Sequence, residues 1–266
     1  MINLTQKSEL SELIIKKAKY YGASLAGIAS VESVKKSPSH IVYSKIGAIT
    51  PTNEITSKEI NWPSDVKSIM VIALNHPIDK PELEWWDGKS TPGNRMLTEI
   101  NKSLSEWLEK SMNIKTYKLP YQIENGGIFL KDAAVLAGLG CLGKNNLLLT
   151  PEFGPKIRLR ALLLDEEVKT SGPIEFDPCF DCNEPCKKSC PINAFDNIIY
   201  STNKLKIESL PGRDGSYNRK LCNTSPGASM VNMDQDKSNN QREVMQSECI
   251  KFCRNCELAC VIGNIN

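Results

Sequence analysis

Nine of the ten cysteines of this 266-residue chain lie after residue 178, and their spacing limits what the chain can fold around. The first group runs Cys179-x2-Cys182-x3-Cys186-x3-Cys190-Pro191, and the second Cys249-x3-Cys253-x2-Cys256-x3-Cys260, with Cys222 alone between them. In a secreted chain such density suggests disulfides, whereas in a reducing compartment it points to metal or redox chemistry. The opening residues, MINLTQKSELSELIIKKAKYYG, are amphipathic, carry acids and lack the apolar run and small-residue cleavage site of a signal peptide. No apolar stretch approaches the width of a bilayer. The expected setting is the cytoplasm, with no membrane partner and with reduced thiols.

Each iron–sulfur cluster needs four thiolates. In the bacterial ferredoxin run three close cysteines hold one cluster, and a fourth, before proline, reaches across to the other. The first group follows this pattern with one extra residue between its second and third cysteines. The same logic gives Cys179, Cys182 and Cys186 to one cluster, with Cys260 returning to complete it. Cys190 then joins Cys253 and Cys256 on the second cluster. The eighth thiolate is Cys222 or Cys249. Cys222 is preferred, because Cys249 precedes a Cys-x2-Cys-x3-Cys unit that mirrors the first group without it. Two Cys₄ zinc sites are the competing reading, since Cys-x2-Cys spacing serves zinc as well. The Cys-Pro ending and the crossed sharing favour two [4Fe–4S] clusters.

Ahead of these cysteines, from residue 1 to about 172, helical and strand patterns alternate, and the composition breaks near Pro173. A helix is expected over Ser8 to Tyr21, with Leu10, Leu13, Ile14 and Ala18 on one face and Gly22 as its stop. A strand follows near Leu25 to Ala29. Residues 31 to 65 read as polar and irregular. The run Ser68 to Leu74 suits a buried central strand. Pro81 to Pro92 reads as a loop carrying Trp85 and Trp86, followed by a helix capped at Gly93 or Asn94 and reaching Met112. Further expectations are strands near Lys115 to Leu119, Leu147 to Leu149 and Ile157 to Leu164, and a helix from Phe129 to Ala137. The fold class is therefore α+β, with residues 1–172 as one domain and 173–266 as a cysteine-rich second. Residues 201 to 247, including DQDKSNNQ at 234–241, read as a surface loop. Lys+Arg 33 against Asp+Glu 31, without blocks of one sign, gives no nucleic-acid stripe. With only His40 and His76, a histidine-based triad or metal site is not expected.

Gly127-Ile-Phe-Leu-Lys-Asp-Ala-Ala-Val-Leu-Ala-Gly-Leu-Gly140, then Cys141-Leu-Gly-Lys-Asn-Asn146, Leu147-Leu-Leu-Thr-Pro151 and Phe153-Gly154, resemble the epoxyqueuosine reductases and their relatives, the cobalamin-dependent reductive dehalogenases. The resemblance covers residues 120 to 262 well and the first hundred in outline. It implies a nitroreductase-like α/β N-terminal domain, a C-terminal ferredoxin-like double-cluster module, and a corrinoid (cobalamin) to which the clusters feed single electrons. Gly138, Gly140, Cys141, Gly143, Lys144 and Asn145 are the implied cofactor-binding segment. On their own these glycines read as tight turns, and Cys141 as a small buried residue. Glu124 falls where the family carries a proton-donating aspartate, and a carboxylic acid with a raised pKa can serve as a general acid. Tyr121 and Lys131 are further candidates.

The sequence departs from the family at Cys141, where a tryptophan is usual, and at Gly127, where a proline is usual. Its Arg-Tyr-rich substrate segment is replaced around Trp85-Trp86-Asp87-Gly88 and Gly93-Asn94-Arg95. These departures count against tRNA as substrate. The expected function is a corrinoid-linked reductase of a small molecule or modified nucleoside, supplied by a donor of the ferredoxin or flavodoxin type. The alternatives are a protein that reduces the corrinoid of a partner protein, or one with a flavin in the N-terminal pocket.

Overall fold

The computed structural model describes residues 4–46, 60, 62–225, 229–232 and 248–263. The chain begins with α1 (Leu4–Tyr20), β1 (Leu25–Ser30), α2 (Val31–Lys35) and α3 (Pro38–Ile46). The two short helices correct the irregular reading of residues 31 to 65. Their sequence is polar, but Ser30 caps α2 by accepting from the Ser33 N–H, and Val31 and Val34 are buried. Then come β2 (Ser68–Asn75), a 3₁₀ turn at Pro81–Glu84, β3 (Trp85–Trp86) and α4 (Pro92–Met112). The cap of α4 is Thr91, accepting from the Asn94 N–H at 3.1 Å, which moves the helix start ahead of Gly93. Proline at the first helical position suits this start. Next are β4 (Thr116–Lys118), α5 (Leu130–Leu136), β5 (Cys141–Leu142), β6 (Leu148–Leu149) and β7 (Ile157–Leu164).

Four strands form one antiparallel sheet in the order β1-β2-β7-β4, so β2 is central as expected. Both faces are covered, which explains why β2 is a continuous apolar run rather than an alternating one. Ile69, Val71 and Ala73 face a core shared with Ala133, Ala134 and Ala137 of the α5 region. Met70, Ile72 and Leu74 face the opposite core, with Ile14 and Ala18 of α1 and Leu97, Ile100, Leu104 and Leu108 of α4. The result is a mixed α/β three-layer body.

After Pro173 regular structure is sparse: α6 (Pro185–Lys188), α7 (Thr202–Leu205), α8 (Arg219–Cys222), β8 (Ser229–Asn232), β9 (Glu248–Lys251) and α9 (Asn255–Leu258). Where a loop was expected over 201 to 247, α7, α8 and β8 stand, and the 234–241 stretch lies outside the described residues. The Trp-Trp pair is also no simple loop. Trp85 and Trp86 pair with Lys251 and Ile250 of β9, and the Lys251 ammonium sits 4.6 Å from the centre of the Trp85 ring. A three-stranded sheet, β3-β9-β8, thereby ties the cysteine-rich part to the first.

Candidate iron–sulfur and catalytic site

The chain around the first cysteine group is held by side chains rather than by long elements. The Cys179 N–H donates to Asp177 at 3.1 Å, and Asp177 is gripped by both carboxylate oxygens at 2.7 Å from Arg213. Burial pushes the Cys186 thiol up to about 11, and the nearby thiolates Cys260, Cys179 and Cys182 add to the rise. Cys260 is raised by burial too, and then by Cys179 and Cys182. These four thiols therefore share one neighbourhood.

A second, adjoining neighbourhood surrounds Cys256, pushed up to about 12 by burial, then by Cys222 and Cys253, and to a smaller degree by Glu257 and by Cys186 of the first set. Burial raises Tyr217 strongly, and its hydroxyl is hydrogen-bonded to Cys222. Cys190 accepts from the Ala194 N–H at 3.3 Å, and its membership of the second set comes from spacing. Cys249 is fully buried on β9. Among the described residues, no three His, Cys, Asp or Glu side chains converge on a single-ion position. A set of four thiols that repel one another as thiolates is the donor chemistry an iron–sulfur cluster requires, so the residues fit such a group.

The segment implied to bind a corrinoid connects the two halves. A β-carbon on Gly138 would lie 2.7 Å from Ser171 O, one on Gly140 1.8 Å from Leu149 O, and one on Gly143 2.6 Å from Asn145 Oδ1. Those faces are filled by the chain itself, the tight-turn reading of these glycines. Lys144 pairs with Glu184 at 2.8 Å, and the buried Asn145 donates to Cys256 O at 3.2 Å. Cys141 is pushed up to about 11, by burial first and then by Cys179, so it also lies beside the first cysteine set. These contacts fill the faces of Gly138, Gly140 and Gly143 that a close-lying flat ligand would otherwise use.

Glu124 is the middle residue of the 3₁₀ turn Ile123–Asn125, and its side chain lies outside the described ones. The turn is closed by Gly126 and Gly127 N–H groups donating to Ile123 O and Gln122 O. Tyr121, half exposed at its start, lies under the Arg160 guanidinium at 5.4 Å. Lys131 donates to Asn146 O at 2.5 Å.

Sequence reasoning missed an ion network. His76, fully buried, donates from Nδ1 to Glu84. Arg158 bridges Glu84 at 2.7 Å and Glu257 at 2.9 Å, and Arg254 binds Glu257 and His76 O. Burial alone would raise Glu84, yet the His76 hydrogen bond and the Arg158 charge hold its carboxyl below the usual range. The available signal was Arg158 and Arg160 interrupting an otherwise apolar strand.

No protein-family model matches the chain. An epoxyqueuosine reductase of Lactococcus garvieae is 29% identical over 140 residues, 49% of this chain and 39% of that protein. A tetrachloroethene reductive dehalogenase of Dehalobacter restrictus is 25% identical over 223 residues, 72% of this chain and 39% of that one. Among solved structures, an epoxyqueuosine reductase carrying an epoxyqueuosine-modified tRNA-Tyr stem loop superposes with a TM-score of 0.63 at 19% identity, over 97% of this chain and 66% of that one. A reductive dehalogenase structure tied to B12-dependent dehalogenation gives 0.50 at 18% identity, over 72% and 26%. The chain thus spans about two-fifths of the length of these two curated relatives. The chain is thus similar in part of its sequence to epoxyqueuosine reductases and to reductive dehalogenases, and it shares its fold with solved epoxyqueuosine reductase structures.

Proposed function

We propose that the chain is a cytoplasmic iron–sulfur oxidoreductase of the epoxyqueuosine reductase type. One [4Fe–4S] cluster is held by Cys179, Cys182, Cys186 and Cys260, the other by Cys190, Cys222, Cys253 and Cys256. Residues 173–266 form the ferredoxin-like cluster module and residues 1–172 the nitroreductase-like substrate domain. The observation that supports this reading is the gathering of Cys179, Cys182, Cys186 and Cys260 in one neighbourhood and of Cys222, Cys253 and Cys256 in an adjoining one that Cys186 also reaches. A corrinoid, when bound, supplies a cobalt centre able to reduce a substrate by single electrons. The tRNA-bound relative and the B12-linked relative support a modified nucleoside or small organic molecule as substrate. A ferredoxin or flavodoxin type of donor fits the one-electron chemistry.

Glu124 is the proposed proton donor. A carboxylic acid on a tight turn can protonate a reduced product, and one general acid supplies about 10²–10⁴-fold in rate. Glu124→Gln should keep iron content and lose turnover by that factor. Turnover kept within a few-fold would move the proton donor elsewhere.

The filled faces of Gly138, Gly140 and Gly143 favour a second reading, in which the clusters reduce the corrinoid of a partner protein. The absorption spectrum of protein purified without oxygen, with extraction of bound corrinoid, separates the two. Stoichiometric corrinoid supports the first reading. Cluster absorption without corrinoid, together with reduction of added cobalamin and no substrate turnover, supports the second, and under it Glu124→Gln is silent.

A further inference from the structure

Two lysines of the N-terminal half lie near different cysteine sets. Lys131, on α5, donates to Asn146 O, and the neighbouring Asn145 donates to Cys256 O. Burial around the Lys131 ammonium pushes its pKa down to about 8, and the charges it meets include Cys222 and Cys256. Lys156, 8% exposed just before β7, donates to Gly263 O at 2.8 Å, three residues beyond Cys260, and its charge reaches the Cys260 thiol. The approach there is close: a β-carbon on Gly154 would lie 1.9 Å from Ile262 O.

Three further cations near the first set are paired with carboxylates. Lys144 pairs with Glu184 at 2.8 Å, Arg213 with Asp177 at 2.7 Å and Lys187 with Asp214 at 2.6 Å. No carboxylate among the described residues lies within ion-pair distance of Lys131. Reduction adds one negative charge to a cluster, and a cation held close in a poorly screened interior stabilises that added charge, raising the reduction potential.

We propose that Lys131 and Lys156 are potential-setting residues, one for each cluster. Lys131 raises the potential of the cluster on Cys190, Cys222, Cys253 and Cys256. Lys156 raises that of the cluster on Cys179, Cys182, Cys186 and Cys260. Neither touches substrate, so they act through the clusters, and the inference rests on the two-cluster reading.

The test is a redox titration, followed by electron paramagnetic resonance, of the full chain purified without oxygen with its clusters. Lys131→Met should shift one midpoint potential to more negative values and leave the other in place. Lys156→Met should shift the other, the double variant both, and Lys131→Arg and Lys156→Arg should keep the wild-type values. If both methionine variants move the same potential, or neither moves any while iron content is unchanged, the inference is overturned. A variant that loses its cluster marks the lysine as a structural support and also counts against it. Wild-type protein without iron would instead sink the two-cluster reading itself.

Discussion

His40 is held by groups that suit only its neutral form. Its Nδ1–H donates to Ser37 Oγ at 2.8 Å, and its Nε2 accepts from the Phe129 N–H at 3.4 Å. Burial lowers its pKa from 6.5 to about 4, against the opposing pull of Asp132. The unfolded chain therefore binds the proton more readily across that window. The stabilisation is complete above about pH 6.5 and is lost as pH falls toward 4, with an upper limit of about 3 kcal/mol at about 1.4 kcal/mol per unit. Urea midpoints measured from pH 7.5 to 4.5 should fall less steeply in His40→Asn than in the wild type. Equal slopes would assign the acid sensitivity to other groups. Gly93 is a second case where one atom decides. A β-carbon there would lie 2.2 Å from His76 Cε1 and Nε2 and 3.0 Å from Leu83 O. Alanine ordinarily gains about 1 kcal/mol over glycine inside a helix. Overpacking against a ring fixed by Glu84 costs about 1–3 kcal/mol, so Gly93→Ala should lower the melting temperature, and a rise would show that the His76 ring can move.

Between elements, the Glu84–Arg158–Glu257 bridge joins the Pro81–Glu84 turn, β7 and α9. Glu257 is buried, and removing one partner of a buried pair leaves a charge uncompensated, at about 3–5 kcal/mol. In Glu257→Gln, amide hydrogen exchange should accelerate across residues 253–263 while β2 and the body of β7 stay protected. Unchanged exchange in that segment would mean α9 is held by other contacts. This bridge was not legible in the sequence, because its charges come from three segments and only the fold brings them together. The same holds for β3, a two-residue strand that exists because β9 pairs with it. In contrast β2 and β7 were legible as apolar runs, and β7 spans the expected residues, Ile157–Leu164. The helices α2 and α3 were hidden because their polar, serine- and proline-punctuated sequence imitates a loop, and short buried contacts decide them. For the candidate site, the grouping of cysteines in the last third was legible in the sequence, and their proposed partition between two clusters rests on spacing. The use of Gly138, Gly140 and Gly143 to seat one chain segment on another was open in the sequence, since glycine signals close approach without saying to what.

At the scale of the molecule, a sheet-centred body and a cysteine-rich part are stitched together by the β3-β9-β8 sheet, the buried ion network, and the Asn145 and Lys156 contacts. Under the proposed two-cluster reading, such an arrangement would hold both clusters against the sheet-centred body, and cluster loss should loosen both halves. No helix among the described residues is long and apolar enough to cross a membrane. Cys222 and Cys249 separate the proposed ligand set from its neighbour: Cys222→Ser should lower iron by up to one cluster, while Cys249→Ser should leave it nearly intact. The reverse outcome would exchange their roles. The central claim, two four-iron clusters on eight cysteines, is tested most directly by iron and acid-labile sulfide analysis of wild-type protein purified without oxygen. The account predicts about eight irons and eight sulfides per chain; stoichiometric zinc with little iron or sulfide would contradict it.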